Sequence, residues 1–266
     1  MADYLTRIVS RALNQLLLLF GGVLVLAFLL CGVAEQIRGA GASVFGRGYY
    51  YFVAPGVVCH ETGHALGCLM TGTKIVHFEP FRPNGNQLGH VVIERKQGNL
   101  LWRAGEFLIG FGPVWFGCLM IWLLTRLFGK RCALPNFDAF FPLDPIPSSR
   151  RYWGRALKAS WAMFMSAFKV WRWRSTLNVV YLYLIFCIAS EMGLSYSDLS
   201  GMWIGFACIC AVFLLLNVVP MVGRAVSGLT FRICRKLFAV HVVMLFVLIL
   251  DVLFVLLFVW PIRLIF

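Results

Sequence analysis

Residues 49–72, YYYFVAPGVVCHETGHALGCLMTG, set two histidines and a glutamate inside an apolar stretch long enough to cross a bilayer. Ionisable groups at membrane depth are costly, so His60, Glu61 and His64 are functional candidates by default. Read as a helix, His60 and His64 stand at i and i+4 and project from one face a turn apart. Two neutral imidazoles held this way can grip a divalent metal. Glu61, one position along, can take a proton from a water that the metal activates, which is the physical content of the H-E-x-x-H pattern. The spacing suits zinc hydrolysis. The same pair could instead bond to neighbouring helices, line a proton path or hold a haem. With only five histidines in 266 residues, however, a chance H-E-x-x-H is far from expected.

Composition sets the class. With 61% hydrophobic and 13% charged residues, the chain is excluded from the ordinary soluble domains. Apolar runs predict transmembrane helices over 12–34, 50–71, 106–128, 177–194, 202–222 and 237–260, each about long enough for roughly 30 Å of hydrocarbon. The expected fold is an all-α polytopic membrane protein of about six transmembrane helices, one multi-pass integral membrane domain over residues 1–266. The net charge of +13 lies mainly in the loops, where anionic headgroups are met, so the bilayer rather than nucleic acid is the expected partner. Nine cysteines sit mostly inside the apolar runs with no C-x-x-C pair. They read as small packing residues rather than a disulfide framework, and Cys59 as facing a neighbouring helix.

A specific resemblance enters at His60-Glu61-Thr62-Gly63-His64, followed by Ala65, Leu66 and then Thr71-Gly72. This run resembles the H-E-x-G-H-A-x helix of the site-2 protease family of intramembrane zinc proteases. The resemblance implies that His60 and His64 are zinc ligands and Glu61 the general base, with a membrane-protein or peptide substrate. Two later fragments belong to it. Gly112-Pro113-Val114 is similar to the family's G-P-x-x-N motif, with Phe116 where the Asn is expected. Asn217-Val218-Val219-Pro220 matches the N-x-x-P that opens N-x-x-P-x-x-x-L-D-G, but Arg224-Ala225-Val226 stands where the ligating Asp belongs.

Between these motifs the periodicity changes. The Gly-rich GAGASVFGRG reads as a flexible connection, and Pro55 as either a kink or the true start of the metal helix. Residues 73–98 alternate around Asn84-Gly85 and predict a small β-hairpin insertion carrying His77 and His90. An exposed strand edge of this kind can pair with an extended peptide. Residues 129–155 are a Pro-rich aromatic loop. Over 155–174, Leu157, Trp161, Phe164, Phe168 and Trp171 recur at helical spacing with Arg155, Lys158 and Lys169 on another side, predicting an interfacial amphipathic helix.

A catalytic zinc needs three protein ligands and an open position. Asp198, in Ser195-Tyr196-Ser197-Asp198-Leu199-Ser200-Gly201, is the first candidate for the third, although Ser197 or Asp198 could simply cap a helix. Asp251, in the middle of an apolar run, is the second candidate, and Glu191 the third. Two functions follow. One is an intramembrane zinc metalloprotease hydrolysing peptide bonds in or near transmembrane segments. The other is a catalytically inactive, protease-like membrane scaffold or assembly subunit, which the absent L-D-G aspartate and Phe116 favour.

Overall fold

The computed structural model describes residues 2–83, 88–94, 100–129, 150–169 and 176–261. The Asn84-Gly85 turn, most of the Pro-rich loop and Trp171 lie outside the described residues. The described chain is almost wholly helical. Its helices are α1 (Ala2–Leu16), α2 (Gly22–Phe45), α3 (Arg47–Phe52), α4 (Ala54–Thr71), α5 (Leu100–Gly110), α6 (Gly112–Gly129), α7 (Arg150–Lys169), α8 (Thr176–Ser190), α9 (Tyr196–Val218) and α10 (Pro220–Phe254). Short π-helical segments, Leu17–Gly21 and Val255–Val259, join α1 to α2 and extend α10. Three of these helical runs, Asp3–Phe45, Asp198–Val218 and Pro220–Val259, are long and apolar enough to cross a membrane. The pair Trp102–Gly110 and Gly112–Phe128, bent by 49°, makes a fourth if counted as one. Their length and apolar composition support a membrane protein.

Several boundaries differ from the sequence reading, each for a local reason. The Gly-rich stretch after Ala34 is helical as far as Phe45 and stops only at Gly46, whose φ of +54° suits glycine. Tertiary packing overrides the poor helix propensity there, because the Tyr49 ring lies against Gly41 where a side chain would stand. Pro55 occupies the first turn of α4, so it marks the start of the helix carrying His60 and His64 rather than a kink. Residues 223–236 are helical as well. The chain breaks at Val219, and Pro220 opens α10 in the position where a missing N–H is harmless.

The core gathers α2, α5, α6, α8 and α10 around Leu30, Val114, Ile121, Ile185, Met192 and Met244. On α7 the buried stripe is Tyr152, Ala156, Ala159 and Met163, while Leu157 and Trp161 face outward, each about half exposed. Ser160 Oγ donates to the Val242 carbonyl at 2.9 Å, and the Tyr152 hydroxyl lies 2.8 Å from His241 Nδ1, which fixes α7 on α10. Asn217 joins α9 to α1: its side-chain amide donates to Gln15 Oε1 at 2.7 Å, and Gln15 Nε2 donates to Ser227 Oγ at 2.8 Å. The predicted hairpin region contains two antiparallel strands, β1 (Ile75–Glu79) and β2 (His90–Ile93), with Glu79 opposite His90, His77 opposite Val92 and a bulge between Ile75 and His77.

Candidate metal centre

Helix α4 lies within the structure because three glycines remove the bulk that would hold its neighbours away. At Gly63 a Cβ would come within 2.7 Å of the Gly112 carbonyl, and at Gly67 within 2.8 Å of the Ile109 Cα. Gly56 meets the Cys187 carbonyl of α8 in the same way. Small residues on one face let helix backbones approach closely. The close approach brings main-chain carbonyls within reach of the α4 side chains.

Each histidine uses one of these carbonyls. His64 Nδ1 lies 2.8 Å from the Ile109 carbonyl, and His60 Nδ1 lies 2.8 Å from the Glu191 carbonyl. Both acceptors are available for a chemical reason. Ile109 would ordinarily bond the amide four residues on, but that residue is Pro113, which has none. Glu191 follows the last residue of α8, where carbonyls have no intrahelical partner. A carbonyl only accepts, so each Nδ1 carries its ring proton, and in the neutral ring that leaves the inward-facing Nε2 as the lone pair open to a metal. Such Nδ1–H to carbonyl bonds are how metal-binding histidines are oriented.

Asp198 completes the cluster. Its Oδ1 is 3.1 Å from His64 Nε2, its Oδ2 is 3.6 Å from His60 Nε2, and the two Nε2 atoms are 3.2 Å apart. Three donor atoms about 2.0–2.1 Å from one tetrahedral ion would stand roughly 3.3–3.4 Å apart. The Nε2–Nε2 and Nε2–Oδ1 separations of 3.2 and 3.1 Å lie close to that value, and one ligand atom from each of the three residues falls within 4.8 Å of the others. The cap of α9 positions the carboxylate: Ser195 is the N-cap, its backbone N–H and hydroxyl each donate to Asp198 Oδ2 at 2.7 Å, and the Asp198 amide donates back to Ser195 Oγ. One oxygen closes the helix end while the other faces His64. The capping reading and the ligand reading of this segment are therefore compatible, and the N-cap is Ser195 rather than Ser197 or Asp198.

The two rival acids stand elsewhere. Glu191 gives its carbonyl to His60 while its carboxylate pairs with Arg38 at 3.3 Å. Asp251 is fully buried, and neither of its oxygens has a hydrogen-bond partner among the described residues. Neither joins the His60–His64–Asp198 group of potential metal ligands among the described residues. Cys59 is buried in the apolar core. Asn217 of the N-x-x-P match serves the α1–α9 contact.

Glu61 is 8% exposed and lies beside the cluster. A Cβ at Gly89, just before β2, would fall 2.6 Å from Glu61 Cγ, so the hairpin rests directly on this glutamate. His60, Glu61, His64, Gly89, His90 and Asp198 line a cavity of about 750 Å³. Six consecutive residues, Leu88 to Ile93, border it as well. Alternate side chains point to opposite faces of a strand, so lining by consecutive residues means that β2 presents its edge. The two backbone carbonyl anchors were not legible in sequence. The only signals for them were Pro113 and the glycines of α4. No protein-family model, no curated protein and no solved structure matches this chain.

Proposed function

We propose that the chain is an intramembrane zinc metalloprotease, similar to the site-2 proteases, that hydrolyses peptide bonds in or near transmembrane segments of other membrane proteins. The observation carrying this reading is the convergence of two carbonyl-anchored imidazoles and Asp198 Oδ1 beside Glu61. Two lone pairs and a carboxylate facing one point form a site for a divalent cation, and two imidazoles with one carboxylate suit zinc. When bound, zinc supplies Lewis acidity that lowers the pKa of a water and polarises the scissile carbonyl. Glu61 accepts the proton of the attacking water and returns it to the leaving amine. The edge of β2 receives the substrate as an extended strand through main-chain hydrogen bonds, which presents the peptide bond to the cavity.

In this reading the chain crosses the bilayer about six times, with the α3–α4 pair and α8 as short crossings beside the longer helices. At 18 residues, α4 is about 27 Å long, close to the hydrocarbon thickness. Helix α7, with Leu157 and Trp161 outward, lies in the interface. The second reading, an inactive scaffold, is favoured by Phe116 in place of the motif's Asn. A model transmembrane substrate incubated with the purified, zinc-loaded protein separates the two. The protease reading expects cleavage that is lost in Glu61→Gln with zinc retained. Cleavage unchanged by Glu61→Gln refutes the mechanism, and zinc binding without any cleavage supports the scaffold.

A further inference from the structure

We propose that His77, Glu79 and His90 form a second divalent-cation site on the hairpin, built from residues distinct from the buried cluster although His90 also borders its cavity. The strand register places them together. His77 and Glu79 are two residues apart on β1 and share a face, and His90 is directly opposite Glu79 on β2. His77 Nε2 is 3.8 Å and His90 Nδ1 3.6 Å from the same oxygen, Glu79 Oε2, and the two imidazole centroids are 5.2 Å apart. A tetrahedral ion needs its ligand atoms roughly 3.3–3.4 Å apart, and the three atoms here lie within 4.8 Å of one another, so side-chain rotations without backbone movement complete the set. Among the described residues, this trio and the buried one are the two groups whose ligand atoms come close enough for a shared ion.

Two imidazoles and one carboxylate form a borderline-soft donor set, which selects zinc and its neighbours among the divalent ions rather than calcium or magnesium. The competitor is intramolecular: Arg82 Nη1 stands 3.6 Å from the same Glu79 oxygen. The Arg82 side chain is more than half exposed and can leave for water when the ion arrives. His77 is likewise more than half exposed, so the ion has a direct path from solvent. Bound there, it would cross-link β1 to β2. A two-stranded sheet alone is marginally stable, and β2 is the strand that borders the cavity. The inference needs no catalysis at the buried cluster.

Titrating the full-length, untagged, metal-stripped protein in detergent with zinc chloride tests this by calorimetry, and cobalt chloride tests it by visible absorption. Wild type is expected to bind two equivalents. The double variant His77→Ala/His90→Ala and the double variant His60→Ala/His64→Ala should each bind one. In the second background, Glu79→Gln should weaken the remaining site about tenfold or more, and Arg82→Ala should tighten it. The cobalt form should give tetrahedral d–d bands that His77→Ala abolishes. Should His60→Ala/His64→Ala fail to fold, the comparison of wild type with His77→Ala/His90→Ala carries the test alone. A wild-type stoichiometry that His77→Ala/His90→Ala leaves unchanged overturns the proposal. A protease that proves inactive but keeps two equivalents of zinc refutes the catalytic reading and leaves this one standing.

Discussion

Pro113 leaves the Ile109 carbonyl without its helical partner, and His64 takes the place of that partner with an Nδ1–O distance of 2.8 Å. The proline thus acts on the candidate metal centre from another helix, through a main-chain group. The same residue lies in the first turn after the 49° bend between α5 and α6, so one proline stands at both the bend and the freed acceptor.

Pro113→Ala returns an amide that competes with His64 for that carbonyl. Its expected effect is a metal affinity lower by about 10- to 100-fold, the usual consequence of losing an orienting partner. Calorimetric titration with zinc measures it, and an unchanged affinity would show that His64 is held by other contacts.

The double duty of the Asp198 carboxylate separates two substitutions. Asp198→Asn keeps an oxygen acceptor for the Ser195 amide but removes the charged ligand, so metal binding should fall far more than stability. Asp198→Ala should show the same metal loss together with about 1 kcal/mol of lost helix capping. Zinc stoichiometry and a thermal melt, run on the two variants side by side, distinguish these outcomes.

Gly63→Ala pushes a methyl group to within 2.7 Å of the Gly112 carbonyl. Overpacking of this kind costs about 1–3 kcal/mol, and here it also pries His64 away from Ile109. Gly39→Ala is the control, because a Cβ there meets nothing within 4 Å in the middle of α2. It should be neutral or stabilising by up to about 1 kcal/mol. Melting temperatures of the two variants in the same detergent make the comparison.

Asn217→Ala should destabilise the protein by about 1–3 kcal/mol, since it leaves the buried Gln15 Oε1 without the donor it accepts from. Zinc affinity should stay at the wild-type value, because Asn217 serves the α1–α9 contact. A drop in affinity to match the drop in stability would contradict that placement.

Part of this arrangement could be read from the residues alone. The i and i+4 histidines, the adjoining glutamate and the alternating run that becomes β1 and β2 are local patterns, and local patterns survive folding. Asp198 was legible as a candidate ligand and as a candidate helix cap, but not as a carboxylate placed for both at once, because a cap and a ligand look the same in one dimension. The carbonyl anchors were hidden for a different reason: every residue has a carbonyl, and only tertiary packing decides which is free and near. Helix ends were hidden where glycines lowered helix propensity and where basic residues lowered hydropathy. Packing of Tyr49 against Gly41 and the tolerance of Pro220 in a first turn settled those stretches. On α7 the large aromatics drew attention to the outward side, while the smaller stripe of Tyr152, Ala156 and Ala159 faces α10.

The contact between Gly89 and Glu61 ties the strand to the carboxylate mechanically. A polypeptide docked along β2 that pressed it toward α4 by a methyl group's width would meet the glutamate, because a Cβ at Gly89 would fall 2.6 Å from Glu61 Cγ. On the proposed protease reading, cargo recognition and reagent alignment thereby become one motion, and a hairpin loosened at that glycine would surrender both together.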